Sequence, residues 1–210
     1  MTGPEIWEQI DVKLIAILRG ITPDETPGIV TELLESGFRA IEIPLNSPDP
    51  FNSIARAVEI AKGYGACLVG AGTVLTSEDV ARVRGAGGNL IVSPDINPEV
   101  VSATVAAKMA SFPGVFTATE AHHAIRLGAT GLKFFPASRI GPEGINAIRA
   151  TLPVSTRICA VGGVGPAQFG AYRAAGVTGF GLGGNLYKPG ASAAEVGEAA
   201  RSAVKAFREG

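Results

Sequence analysis

The feature that most constrains the fold is an eightfold alternation of short apolar runs with longer amphipathic stretches. The runs span 14–18, 40–44, 67–72, 90–94, 110–114, 131–135, 158–163 and 179–184, and amphipathic stretches such as 26–37, 53–63 and 77–87 lie between them. This alternation is typical of parallel βαβ units. Eight units predict an α/β fold of the (β/α)8 TIM-barrel class. An open doubly wound sheet is the alternative.

Length and composition agree with a compact barrel. The 210 residues are fewer than the roughly 250 of a typical (β/α)8 barrel, so we expect one domain over 1–210 with few insertions. The hydrophobic share of 46% fits strands that are covered on both faces. A net charge of −1 offers no basic field for nucleic acid or anionic membranes. Without an export signal or a long apolar run, we expect a cytoplasmic protein.

A loose internal repeat predicts which side chains point inwards. In four segments a helix pattern ends at a glycine, and the fifth residue after that glycine lies on the second, fourth, sixth or eighth run. These fifth residues are Glu42, Val92, Lys133 and Gly181. Alternate strands of such a barrel supply one layer of inward side chains. We therefore expect Glu42 and Lys133 to share a layer inside the barrel.

Lys133 is the strongest chemical signal, because no other charge lies within five residues of it. Burial in an apolar site disfavours the ammonium form and lowers the pKa of a lysine. A neutral lysine can attack a ketone and form an iminium, which accepts electrons. A lysine that reaches out to solvent, or one paired with a carboxylate, is the alternative.

Glu42 is a carboxylate inside the apolar strand Ala-Ile-Glu-Ile-Pro. Together with Lys133 it forms either a core salt bridge or an acid/base residue beside a nucleophile. A buried ion pair adds little net stability compared with apolar residues. The combination in a compact barrel therefore favours a function for both residues.

Groups that suit anions follow three of the predicted strands. Arg19 ends the first run, where a guanidinium can bind a carboxylate or phosphate with two hydrogen bonds, although a surface arginine is an equal alternative. Glycine-rich turns follow the seventh and eighth runs, at 161–166 and 183–185. In (β/α)8 barrels these two turns commonly bind phosphate.

The sequence offers no metal site. The only histidines, His122 and His123, are neighbours on a predicted helix and therefore do not share a face. No ligand cluster for zinc or another metal is apparent. We expect neither a metal nor a cofactor.

Seven motifs resemble the 2-keto-3-deoxy-6-phosphogluconate and 6-phosphogalactonate aldolase family over nearly the whole chain. They are AILRG (16–20), IEIPLNSP (41–48), GAGTVL (70–75), IVSPDI (91–96), PG-x-x-TATE (113–120), LKFFPAS (132–138) and AVGGV (160–164). The family is a metal-free class I aldolase barrel and commonly a homotrimer. The resemblance implies a homotrimer that cleaves a phosphorylated keto-deoxy sugar acid to pyruvate and glyceraldehyde 3-phosphate.

The resemblance also implies roles for individual residues. Lys133 matches the Schiff-base lysine and Glu42 the general acid/base. Thr73 matches a contact to the pyruvyl part, and Arg19 a substrate-binding arginine. The phosphate loops match Gly162, Gly163, Gly183, Gly184 and Asn185.

Two positions indicate the branch of the family. The phosphogluconate branch usually has arginine where this chain has Asn46, and threonine where it has Val161. Both departures resemble the phosphogalactonate branch, which implies 2-dehydro-3-deoxy-6-phospho-D-galactonate as the substrate. A threonine hydroxyl can hydrogen-bond a substrate hydroxyl and valine cannot, so Val161 is a candidate substrate contact. The gluco epimer as main substrate, a phosphosugar isomerase or epimerase, and a non-catalytic phosphosugar-binding barrel are the alternatives.

Overall fold

The computed structural model describes residues 1–210 and contains one parallel sheet of nine strands. The strands are β1 (Leu14–Ile17), β2 (Ala40–Pro44), β3 (Leu68–Gly72), β4 (Leu90–Val92), β5 (Ala110–Phe112), β6 (Gly114–Val115), β7 (Leu132–Phe134), β8 (Ile158–Val161) and β9 (Gly179–Leu182). Their order in the sheet is β5-β4-β3-β2-β1-β9-β8-β7-β6. Every predicted run contains an observed strand.

The sheet closes through β5 and β6, which are two pieces of one barrel strand. Pro113 separates them because it has no N–H to donate to the ladder. Its carbonyl nevertheless accepts a hydrogen bond from the Lys133 N–H at 3.0 Å. Since β5 pairs with β4 and β6 pairs with β7, the strands surround a closed interior. The fold is therefore a (β/α)8 barrel, and the open sheet is excluded.

Helices connect the strands and cover the outside of the barrel. They are α1 (Gly3–Gln9), α2 (Thr26–Glu35), α3 (Pro50–Ala61), α4 (Ser77–Gly85), α5 (Pro98–Ala106), α6 (Ala118–Arg126), α7 (Ala137–Arg149), α8 (Phe169–Ala174) and α9 (Ala193–Glu209), with 3-10 turns at Lys62–Tyr64 and Pro166–Gln168. The path of α7 breaks at Gly141, where φ is 72°. None of these helices has the length and apolar character needed to span a bilayer.

The glycines of the internal repeat lie where the chain leaves a helix for a strand. Gly37, Gly87, Gly128 and Gly176 have φ values between 85° and 105°. This left-handed region strains residues with a Cβ, so a glycine here ends the helix at low cost. The predicted helix ends are confirmed.

Period-two alternation divides the apolar side chains between two cores. Leu14, Ala16 and Leu18 of the first run face the helices, whereas Ile15 faces the barrel interior. In the interior core Trp7 of α1 packs against Phe112, with ring centroids 4.8 Å apart. Because α1 fills the N-terminal end of the barrel, the interior opens only at the carboxyl ends of the strands.

Candidate active site

The carboxyl ends of the strands surround a cavity of about 390 Å³. Active sites of (β/α)8 enzymes lie at this end. All ten residues proposed from the sequence line it: Arg19, Glu42, Thr73, Lys133, Val161, Gly162, Gly163, Gly183, Gly184 and Asn185. A groove of about 530 Å³ between α4 and α5 is larger, but it contains no buried lysine or carboxylate. Chemistry, not size, identifies the candidate site.

Glu42 projects inwards from β2 and is only 2% exposed. Its Oε2 is buried and has no hydrogen-bond partner. Burial disfavours the carboxylate and raises the pKa of Glu42 to about 7, against the opposing pull of Lys133 and Arg19. A carboxyl group with this pKa exchanges protons near neutral pH, as a general acid/base requires.

Lys133 projects from β7 into the same cavity and is 8% exposed. Its Nζ donates a hydrogen bond to the Ser93 carbonyl at 3.3 Å and lies 5.0 Å from the centroid of the Phe135 ring. Burial lowers the pKa of the ammonium; the nearby Glu42 opposes this, and Arg19 adds to it. The neutral amine is therefore more accessible than in an exposed lysine.

Glu42 and Lys133 do not form a salt bridge. The chain contains six ion pairs with N–O distances of 4.0 Å or less, and neither residue belongs to any of them. The lysine is buried, so it does not reach out to solvent either. Both structural alternatives for these residues are therefore wrong. Two buried groups of opposite charge share a cavity with room for a third molecule.

The internal repeat predicted the inward-pointing positions with one exception. Glu42, Lys133 and Gly181 line the cavity, whereas Val92 packs in the interior core with Trp7. The inward position that reaches the cavity is Pro94, two residues after Val92 and beyond the end of β4. Val92 is apolar and joins the core beneath the cavity, so the expected layer is incomplete on β4.

A glycine on the neighbouring strand makes room for the Glu42 carboxylate. Glu42 pairs in register with Gly70 of β3, and Gly72 lies one inward position further along. A Cβ at Gly72 would overlap Oε2 of Glu42. The carboxylate can occupy this position only beside a residue that has no side chain.

Arg19 and Thr73 lie beside each other at the rim of the cavity. The Arg19 guanidinium donates to Asn46 Oδ1 at 2.6 Å and to Thr73 Oγ1 at 3.5 Å. Thr73 has a φ of 57°, an unusual value for a β-branched residue. Such strained residues concentrate at functional sites.

The turns after β8 and β9 face the cavity with free backbone donors. The backbone N–H groups of Gly163, Gly184 and Asn185 donate no intramolecular hydrogen bond. Gly162 and Gly163 have φ values of 92° and 73°. Free N–H groups on adjacent turns can together bind an anion such as phosphate.

Sequence reasoning missed several residues of the site. Phe135 lines the cavity two residues after Lys133, and period-two alternation could have identified it. The carbonyl of Ser93 had no signal in the sequence, because every residue carries the same backbone acceptor. The two histidines are outside the cavity lining, and no three His, Cys, Asp or Glu residues come together as a possible metal site.

Comparison with known proteins agrees with this geometry. The family model described as KDPG and KHG aldolase matches residues 8–204. The probable 2-dehydro-3-deoxy-6-phosphogalactonate aldolase of Rhizobium meliloti (strain 1021) is 54% identical over 92% of this chain and 91% of its own length. The 2-dehydro-3-deoxy-6-phosphogalactonate aldolase of Escherichia coli (strain K12) is 46% identical over 96% of this chain and 97% of its own.

A solved structure described as native KDPGal superposes with a TM-score of 0.90 and 46% identity, over 95% of this chain and 96% of that one. The sequence left an aldolase, an isomerase and a non-catalytic binding protein open. The family match selects the aldolase, a lyase that cleaves carbon–carbon bonds. The chain thus belongs to the KDPG and KHG aldolase family.

Proposed function

We propose that this chain reversibly cleaves 2-dehydro-3-deoxy-6-phospho-D-galactonate to pyruvate and D-glyceraldehyde 3-phosphate through a Schiff base on Lys133. The observation that carries the proposal is the buried, unbridged pair of Lys133 and Glu42 in the cavity. An ion pair alone would bring the two charges together. Because they form no salt bridge and both line a cavity of about 390 Å³, a ketone that enters the cavity can meet both groups.

The Lys133 amine attacks carbon 2 of the keto acid and forms a carbinolamine. Loss of water gives an iminium, which retains one N–H. The Ser93 carbonyl, which accepts a hydrogen bond from Nζ at 3.3 Å, suits that remaining N–H. The lowered pKa of Lys133 makes the neutral amine available for attack.

Glu42 moves the protons, directly or through a water. It donates a proton as hydroxide leaves the carbinolamine, and then takes the proton of the carbon-4 hydroxyl. As the carbon 3–carbon 4 bond breaks, its electron pair passes to the iminium and forms an enamine, while carbon 4 leaves as the aldehyde. Protonation of the enamine at carbon 3, followed by hydrolysis, releases pyruvate and restores Lys133.

The two ends of the substrate have separate anchors in this proposal. Arg19 and Thr73 lie on the same side of the cavity, where they receive the carboxylate next to carbon 2. The free N–H groups of Gly163, Gly184 and Asn185 receive the phosphate. Neither anchor requires a metal or cofactor, so activity should survive chelators.

The galacto epimer is proposed because of the wall formed by Val161. A Cβ at Gly181 would lie 2.8 Å from Val161 Cγ2, so the valine side chain extends across the inward face of β9. Valine offers no hydrogen bond to a hydroxyl on carbon 4. Relatives at 54% and 46% identity are named for the phosphogalactonate substrate, which also supports this choice.

For the assembly we propose a homotrimer of single-domain chains, each spanning 1–210, in the cytoplasm. Phe116 and Leu75, in loops that follow β6 and β3, are 45% and 50% exposed and offer apolar surface for subunit contact. Native mass spectrometry tests the trimer. A monomer or dimer at working concentration would contradict it.

Reductive trapping tests the Schiff base. Incubation with pyruvate and borohydride should add one pyruvate-derived group, and peptide mapping should locate it on Lys133. Lys13 is a useful internal control, because burial also lowers its pKa although it lies at the other end of the barrel. Labelling of Lys13 or of an exposed lysine in place of Lys133 would overturn the mechanism, as would turnover without any trapping.

A further inference from the structure

Arg19 is held by the loop that follows β2. Its guanidinium donates to Asn46 Oδ1 at 2.6 Å, a short charge-assisted hydrogen bond. The next residue, Ser47, accepts a hydrogen bond from the Gly20 N–H at 2.9 Å. Adjacent residues of one loop thus hold both the side chain of Arg19 and the backbone that follows it.

The two acceptors of the guanidinium, Asn46 and Thr73, are uncharged. Arg19 takes part in none of the six ion pairs of the chain. An aspartate in place of Asn46 would accept the same hydrogen bond and would also neutralise the guanidinium. The amide orients Arg19 and leaves its positive charge available.

We propose that Asn46 and Ser47 are positioning residues that hold Arg19, without neutralising it, in the orientation that receives the carboxylate of the keto acid. This inference rests on the function proposed above and assigns a task to residues that do not react. Ser47 is 7% exposed and fixes the backbone, whereas Asn46 is exposed and directs the side chain.

The test measures how borohydride trapping depends on pyruvate concentration, because pyruvate carries the carboxylate but no phosphate. Asn46→Asp should raise the half-saturating concentration about 10- to 100-fold, the range of a charge-assisted hydrogen bond, and leave the saturated rate within about threefold of wild type. Asn46→Ala removes the acceptor without adding charge and should give a rise of about three- to tenfold. Ser47→Ala should act in the same direction as Asn46→Ala.

A second readout separates positioning from general damage. Arg19 lowers the pKa of Glu42, and Lys133 is the other charge that does so. In Asn46→Asp the positive field of Arg19 is offset, so the acid limb of the pH profile of kcat/KM should move to higher pH. Asn146→Asp is the matched control, since it makes the same charge change on an exposed residue of α7.

If Asn46→Asp and Asn146→Asp have the same half-saturating concentration, the proposal is overturned while the Schiff-base function stands. A loss of saturated trapping rate at unchanged half-saturation would also overturn it, because Asn46 would then act on the chemistry. Absence of trapping in wild type would contradict both the proposed function and this inference. The expected result is a higher half-saturating concentration together with the shifted acid limb.

Discussion

At the scale of single residues, Glu42 differs from the other glutamates whose pKa is shifted. Thr2, Thr117 and Ser192 cap helices and hydrogen-bond glutamates three positions later, and those hydrogen bonds lower the glutamate pKa values. Glu42 is buried and its Oε2 has no such partner, so its pKa moves in the opposite direction. The same residue type is a structural cap when hydrogen-bonded at a helix start, whereas burial without a partner gives it the raised pKa that the proposed proton transfer requires.

Replacing Glu42 with glutamine should remove most of the catalysis. Glu42→Gln keeps the size but cannot exchange the proton, so we expect kcat to fall about 10²–10⁴-fold. Slow imine formation at Lys133 should persist. In wild type the acid limb of kcat/KM should lie near pH 7, where Glu42 ionises, and the variant should lose this limb. Near-normal turnover would reduce Glu42 to a structural residue.

The same substitution should stabilise the fold at high pH. The pKa of Glu42 rises from 4.5 to about 7 on folding, because the folded state favours the protonated carboxyl. The stabilisation of the folded state by this protonated form is complete below pH 4.5 and is lost as the pH rises through 7. Glutamine stays neutral throughout. Glu42→Gln should therefore raise the unfolding free energy above pH 7, by roughly 3 kcal/mol at most, and change it little in acid. Urea unfolding at about pH 5 and pH 8.5 measures the difference; equal effects at both would contradict the raised pKa.

Val161 should set the preference between the two epimers. Val161→Thr adds a hydroxyl to the cavity wall and should raise kcat/KM for the gluco epimer relative to galacto by roughly tenfold, the value of one neutral hydrogen bond. The wild-type preference for galacto should be incomplete, since an apolar wall discriminates weakly. Kinetics on both epimers measure the ratio. A wild-type preference for gluco would refute the branch assignment while leaving the aldolase intact.

At the scale of elements, separate strand–turn units contribute separate parts of the site. β2 brings Glu42, β7 brings Lys133, and the turns after β8 and β9 bring free N–H groups. Parallel strands place all their carboxyl ends at one edge, so groups far apart in the sequence meet there.

The turn after β9 is a better place than the turn after β8 to test the phosphate anchor by mutation. Gly163 has a positive φ and a Cβ there would collide with Ser138, whereas a Cβ at Gly184 has open space.

Gly184→Asp should weaken phosphate binding without straining the fold. The carboxylate would lie beside the phosphate, and this repulsion should raise KM for the phosphorylated substrate by about tenfold or more. Trapping with pyruvate alone should change little, because pyruvate does not reach the β8 and β9 turns. Gly184→Ala is the uncharged control. Equal effects on both substrates would place the phosphate elsewhere.

At the scale of the whole molecule, the interior core and the candidate active site lie at opposite ends of the barrel. Trp7 of α1 is fully buried and packs with Ile15, Phe112 and other inward residues near the N-terminal ends of the strands. Lys13 Nζ donates hydrogen bonds to the Trp7 and Ile10 carbonyls at 2.8 and 2.9 Å, and these bonds hold α1 against the N-terminal end of the barrel. The cavity of the candidate active site lies at the opposite end, so stability and activity should be separable.

Trp7→Ala should test this separation. Loss of a fully buried aromatic residue should lower the unfolding free energy by about 3–5 kcal/mol. At temperatures well below melting, kcat/KM should stay close to wild type, because Trp7 belongs to the interior core and no member of that core lines the cavity. Thermal melts and kinetics on the same preparation measure both effects. A large loss of activity in the folded variant would show that the two ends are coupled.

The sequence alone predicted the barrel and singled out Glu42 and Lys133 as the proposed acid/base and nucleophile. Period-two alternation and the helix-ending glycines are local properties, since they depend on the backbone geometry of a few consecutive residues. They predicted all eight strands and the inward direction of Glu42 and Lys133. The resemblance added roles for eight further residues, from Arg19 to Asn185, and the structure places every one of these around the same cavity, together with residues such as Phe135 that were not predicted.

Only the tertiary structure decided how these residues face one another. Three features depend on strand stagger and on loops far apart in the chain. Glu42 and Lys133 form no salt bridge, Gly72 makes room for the carboxylate, and Asn46 hydrogen-bonds Arg19. The registers between strands, such as Glu42 beside Gly70, fix these distances. A local sequence pattern gives the direction of a side chain, whereas its partners come from closure of the whole barrel, because closure sets the height of each strand against the next.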